Sequence, residues 1–157
     1  MKIIVLGLGN TLLGDEGVGI HALRRVERDW TASNHDDVSF VDGGTLSFAL
    51  TDVLHEADRL VVIDAAQLHA APGTVRVFEN QAMDDYVGRG KYSSVHEVSL
   101  AELFDMVRLT DTLPAQRALV GIQPRDVDWA EQPSPPVNAA IPRACRLVHT
   151  LLETWGA

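Results

Sequence analysis

Cysteine is nearly absent: Cys145 is the only one in 157 residues. A single thiol cannot close an internal disulfide or build a cysteine-rich zinc site, so a reducing cytoplasm suits the chain. Basic residues are scarce too. Lys and Arg number 13 against 22 Asp and Glu, a formal net charge of -9, and no Lys/Arg run occurs. Nucleic acid, itself a polyanion, would be repelled by such a chain, and so would an anionic lipid surface. No apolar run approaches ~18 residues, which excludes an expected membrane span. The apolar start, Met1 to Leu6, is too short for a secretory signal and runs into Gly7-Leu8-Gly9-Asn10 without a small-residue cleavage pattern. It reads as a buried strand. Repeats, low-complexity tracts and domain linkers are missing, as is the G-x-S-x-G elbow of a serine hydrolase.

What is present is the composition of a globular chain, 46% hydrophobic and 22% charged, at a length that fits one domain over 1–157. Apolar or β-branched runs at Lys2–Gly9, Asp37–Asp42, Arg59–Ala65, Thr74–Phe78 and Arg117–Ile122 predict five strands. Between them lie segments of helical period. Asp15–Trp30 carries Val18, Ala22, Val26 and Trp30 on one stripe, and Leu46–Ala57 carries Leu46, Leu50, Val53 and Leu54. Ser99 and Glu102 form a capping box that opens a helix to about Leu109. A last helix places Ile141, Ala144, Cys145, Val148, Leu151, Leu152 and Trp155 on one face, with Pro142 either in its first turn or kinking it. Gln81–Ser94 shows no clear pattern and its Gly88-Arg89-Gly90-Lys91 stretch suggests a loop, while the four prolines of Gln123–Pro136 suggest an ordered surface loop. Strands alternating with helices predict an α/β fold: a three-layer α/β/α sandwich around a mostly parallel, twisted sheet of about five strands.

In such folds ligands gather beyond the carboxyl ends of the strands. The segments expected there hold Asp15 and Glu16, then Asp42-Gly43-Gly44-Thr45, then Asp64, and at longer range His96. Each has an ordinary explanation. Acids at a helix start are favoured by its dipole, and an Asp before two glycines is turn chemistry. Asp64 is harder to explain so, because it ends a Val-Val-Ile run where a carboxylate is costly unless partnered. The remaining histidines, His21, His35, His55, His69 and His149, read as structural or exposed, and Cys145 as core. Together these carboxylates and the one imidazole offer oxygen and nitrogen ligands, which suit a borderline divalent ion such as nickel or zinc with positions left open for substrate.

A dinucleotide-binding reading competes, since Gly7-Leu8-Gly9 follows a first strand and Asp42 closes the second. Leu12 stands where the third glycine of that fingerprint belongs, however, and Asp15 and Glu16 put negative charge where a pyrophosphate would lie. Neither NAD nor ATP is expected to bind.

In these motifs, Gly7-Leu8-Gly9-Asn10 to Asp15-Glu16-Gly17-Val18-Gly19, Asp42-Gly43-Gly44-Thr45, Val62-Ile63-Asp64-Ala65 with Pro72-Gly73, Ser94-Val95-His96 and Gly121-Ile122-Gln123-Pro124, the chain resembles the maturation endopeptidases of nickel–iron hydrogenases. The resemblance implies a hydrolase in which Glu16, Asp64 and His96 bind metal and Asp42 lies near the scissile bond. All four are then catalytic candidates, with Gly43, Gly44 and Thr45 as substrate-binding residues. It further implies that the nickel arrives in the partner, the precursor of a hydrogenase large subunit, and is not held tightly by the free enzyme. The expected protein is a cytoplasmic monomer that trims the precursor's C-terminal extension. A non-catalytic, nickel-sensing chaperone would need the same ligands; Asp42 beside them favours catalysis.

Overall fold

The computed structural model describes residues 1–31, 37–45, 47–88 and 100–157. Five strands form one sheet: β1 (Ile3–Gly7), β2 (Val38–Asp42), β3 (Arg59–Ala65), β4 (Val75–Glu79) and β5 (Gln116–Ile122). Their order is β2-β1-β3-β5-β4, parallel throughout except for β4, which runs antiparallel to β5. The connection from β3 to β4 is too short to hold the dozen or more residues that a parallel crossover needs, so β4 returns in the opposite sense.

Helices α1 (Val18–Thr31), α2 (Leu50–Glu56), α3 (Gln81–Gly88), α4 (Leu100–Leu109) and α5 (Pro135–Thr154) cover both faces. Side chains alternate across each strand, and the core divides accordingly. Ile3, Val5, Val61, Ile63, Val120 and Ile122 face α1 and α5, meeting the Val18, Ala22, Val26 and Trp30 stripe and the stripe of α5. Ile4, Leu6, Leu60, Val62 and Leu119 face the other way, against Leu54 of α2, Met83 of α3, and Leu103 and Phe104 of α4. The α/β/α sandwich is thus present, with a five-stranded, mostly parallel sheet. Among the described residues no helix is long and apolar enough to cross a membrane.

Several boundaries differ from the sequence reading. The first half of Gln81–Ser94 is helix α3, not irregular chain: Met83 and Val87, one helical turn apart, are buried in the second core. Asn80, at φ 51, starts it by accepting the Asp84 N–H at 3.1 Å. Helix α2 begins only at Leu50, because the Leu50 and Thr51 amides close turns onto Ser47 and Phe48; Leu46 lies outside the described residues. Pro142 sits well inside α5, past the first turn, which Pro135 opens. Cys145 is core as expected: its thiol points at the Ala22 carbonyl, and burial pushes its pKa up to about 11, leaving it unreactive. The capping-box serine, Ser99, and the loop residues Arg89 to Lys91 lie outside the described residues.

Candidate active site

The carboxyl edge of the sheet is shaped first by glycine. Beyond β1 the chain reaches Gly9 at φ 133, where a Cβ would stand 2.0 Å from the Glu16 carbonyl oxygen, so only glycine lets the loop fold back on itself. Asn10 Oδ1 accepts the Leu12 amide at 2.9 Å, and a 3-10 turn over Gly14–Gly17 then leads into α1. Gly19 in the first turn of α1 approaches β3 so closely that a Cβ would lie 2.3 Å from the Ile63 carbonyl oxygen. This contact presses the acidic turn onto the end of β3.

Glu16 and Asp64 are therefore both sealed from solvent at this edge, 4% and 0% exposed. Alternation along β3 turns Asp64 toward the face covered by α2, α3 and α4, since its neighbours Ile63 and Ala65 belong to the opposite core. Tyr86 of α3 senses it: burial raises the phenol pKa, Arg76 opposes the rise and the Asp64 carboxylate adds to it. The Tyr86 hydroxyl donates to the Gln67 carbonyl just past β3, which puts the last turn of α3 at the carboxyl edge. Helix α4 ends at the opposite edge, where Thr110 meets His55, so its first residue also starts from the carboxyl side. His96, the third predicted ligand, belongs to the segment between these helices and lies outside the described residues. Among the described residues no three His, Cys, Asp or Glu side chains gather as a metal set.

Asp42 ends β2 opposite Gly7. Its Oδ1 accepts the Gly44 amide at 2.9 Å, and its Oδ2 lies 3.9 Å from Arg24, an exposed pair of little energetic weight. Asp42, Gly44 and Thr45 line an open cleft of about 300 Å³ together with Gly9, Asn10, Thr11 and Ile20. Gly43 packs inward, where a Cβ would meet Leu6 and Leu8 at 2.8 Å, so it supports the cleft floor and does not line it. Asn10 and Thr11 were not among the predicted site residues, although their place after the Gly-Leu-Gly turn marks them.

Asp15 behaves differently from the helix-dipole role that its position suggested. It is 0% exposed, and its side chain turns away from α1. Oδ2 accepts the amides of Arg125 and Asp126 at 2.8 Å each and the Ser134 hydroxyl at 2.7 Å; Oδ1 accepts the Ser134 amide at 2.6 Å. Burial pushes this carboxyl up, but the bonds from Asp126, Ser134 and Arg125 together outweigh it and hold the pKa below its usual value. Asp15 thereby ties the turn that carries Glu16 to the loop between β5 and α5. No local pattern could reveal partners more than a hundred positions away.

Residues 20–151 match the hydrogenase maturation protease family. The chain is 34% identical to the hydrogenase expression/formation protein HupD of Rhizobium leguminosarum bv. viciae over 156 residues, 99% of this chain and 76% of that protein. It is 29% identical to the hydrogenase 2 maturation protease of Escherichia coli K12, covering 99% of this chain and 93% of that one. The structure of the hydrogenase maturating endopeptidase HybD from E. coli superposes with a TM-score of 0.88 at 29% identity, covering 99% of this chain and 94% of that one. With that fold and those motifs, the chain belongs to the hydrogenase maturation proteases, peptide hydrolases that process hydrogenase.

Proposed function

We propose that this endopeptidase removes a short C-terminal extension from the nickel-loaded precursor of a nickel–iron hydrogenase large subunit. Glu16, Asp64 and His96 read the nickel that the precursor carries, and Asp42 with Gly44 and Thr45 receives the segment to be cut. The observation that carries this reading is the pair of carboxylates, Glu16 and Asp64, buried at the carboxyl edge beside an open cleft that Asp42 lines. Sealing carboxylates is costly, and a fold that keeps two of them at its ligand-binding edge has a use for their charge. Two oxygens and an imidazole nitrogen suit a borderline divalent ion, and three protein donors leave positions for ligands that the partner brings. In the cut, water adds across the peptide bond: its oxygen joins the carbonyl carbon, the C–N bond breaks, and the new amine takes up a proton. Asp42, open to solvent in the cleft, handles that proton. The protein works in the reducing cytoplasm as a monomer until it meets its substrate, a setting that its one buried cysteine tolerates.

The test mixes the protein with nickel-loaded and nickel-free precursor and measures the partner's mass. Only the loaded form should lose its extension, and His96→Ala should abolish that loss while circular dichroism shows an intact fold. Normal processing by His96→Ala would contradict the nickel-reading role.

A further inference from the structure

Among the described residues seven large apolar side chains stand in solvent, and four of them share one edge. Leu12, Phe48, Val127 and Trp129 all lie in loops that leave the carboxyl ends of β1, β2 and β5, whereas Met106 and Leu109 lie on α4 and Met1 precedes β1. Single exposed hydrophobics are ordinary on a soluble protein; a group at the ligand-binding edge is not. Trp129 is the most exposed of the four at this edge, 79% against 5% for Trp30 and 7% for Trp155.

Backbone pairing brings two of these loops together. Leu13 forms a parallel bridge with Ala130, closed by the Ala130 amide on the Leu12 carbonyl at 3.0 Å and the Gly14 amide on the Ala130 carbonyl at 2.9 Å. This pairing sets Leu12 alongside Trp129. The support is stiff, because the Asp15 carboxylate holds Arg125, Asp126 and Ser134, and Gln123 Oε1 accepts the Leu68 amide at 2.7 Å. Phe48 follows Thr45, which lines the cleft, by three positions in the loop after β2. Exposed Asp128 and Glu131 fringe the apolar group with negative charge, while Asp126 is paired with Arg125 at 2.9 Å.

Resting on the proteolytic reading above, we propose that Leu12, Val127 and Trp129 form the surface on which the large-subunit precursor docks. Its complement on the precursor is an apolar patch fringed by Lys and Arg, next to the segment that enters the cleft. Continuity with the cleft is one reason, since Asn10 and Thr11, which line it with Asp42, lead directly into Leu12. Charge complementarity is the other. A tryptophan presented on a braced loop is the kind of side chain that dominates protein interfaces, and the bracing lowers the ordering cost of binding.

The experiment uses the whole protease labelled with 5-fluorotryptophan, so that only its 3 tryptophans appear in the fluorine spectrum, and the nickel-loaded precursor from the same cells. Adding precursor should shift or broaden the Trp129 line and leave those of Trp30 and Trp155 in place. Trp129→Ala combined with Leu12→Ser should raise the KM for precursor about tenfold or more while kcat stays within about twofold, the mark of lost binding that is equal in ground and transition states. Leu109→Ser, at the opposite edge, should change neither constant. A wild-type enzyme that fails to cut the loaded precursor overturns the proteolytic reading and the docking surface with it. Cleavage by wild type with an unchanged KM in the double variant overturns the docking surface alone. A Trp129 line that moves with protease concentration and not with precursor would assign the surface to a second copy of the chain.

Discussion

Asp84 and Asp15 are both acids largely sealed from water at opposite edges of one sheet, and they are satisfied by different chemistry. At the amino edge Asp84 meets two guanidinium groups, Arg117 at 2.5 and 2.8 Å and Arg108 at 2.8 Å. At the carboxyl edge Asp15 takes its hydrogen bonds from three backbone amides and a hydroxyl, with no cation among those donors. The first arrangement cancels charge and simply closes the fold. The second keeps a full negative charge beside Glu16 and Asp64, so the edge that carries the candidate site stays electronegative. Such an edge favours positively charged groups over anions.

The largest break in this contrast should come from Asp64→Asn. Removing that buried charge should lower precursor cleavage by more than the roughly 10–100-fold typical of losing a group that merely supports a metal ligand. Mass spectrometry of the precursor would show it, and a wild-type rate in a folded variant would remove Asp64 from the site.

Asp15→Asn should do less to the chemistry and more to the fold. Both carboxylate oxygens accept backbone amides, so an amide NH2 must face a donor whichever way it is turned. Denaturant melts should register a loss of about 3 kcal/mol, more than one charge-assisted hydrogen bond is worth. The sign of its pH dependence follows from the depressed pKa. Asp15 contributes fully above its unfolded pKa of about 3.9, and the contribution disappears as pH falls through the lower folded value. Wild-type stability should therefore decline in acid below about pH 4 more steeply than that of Asp15→Asn. Parallel curves for the two proteins would refute the assignment.

At the amino edge, Arg117→Gln should cost about 2 kcal/mol, since Arg108 still reaches Asp84. Precursor cleavage at saturating substrate should not move. Smallest of all is Lys2→Ala: its 2.6 Å pair with Glu56 is largely exposed, so unfolding midpoints should coincide with those of wild type.

Much of this molecule was legible in the amino-acid sequence by itself. Its central strands are short β-branched runs buried on both faces, so β1, β3 and β5 stand out from composition alone, and Val18 to Trp30 and the α5 stripe mark their helices by period. Asp64 drew attention because a carboxylate ending a buried Val-Val-Ile run needs a reason, whereas Glu16 and Asp42 each had an ordinary local explanation. Other features exist only in three dimensions. The reversal of β4 depends on the length of its connection, and α3 is stabilised by Met83 and Val87 entering a core built from distant strands. Asp15 shows the limit best. Its local position suggests a dipole effect, but its bonds reach residues 110 to 119 positions away, and only the folded chain brings those amides within 2.8 Å. Local pattern reports local energies; which distant backbone groups a buried charge will meet is decided by the packing of the whole sheet.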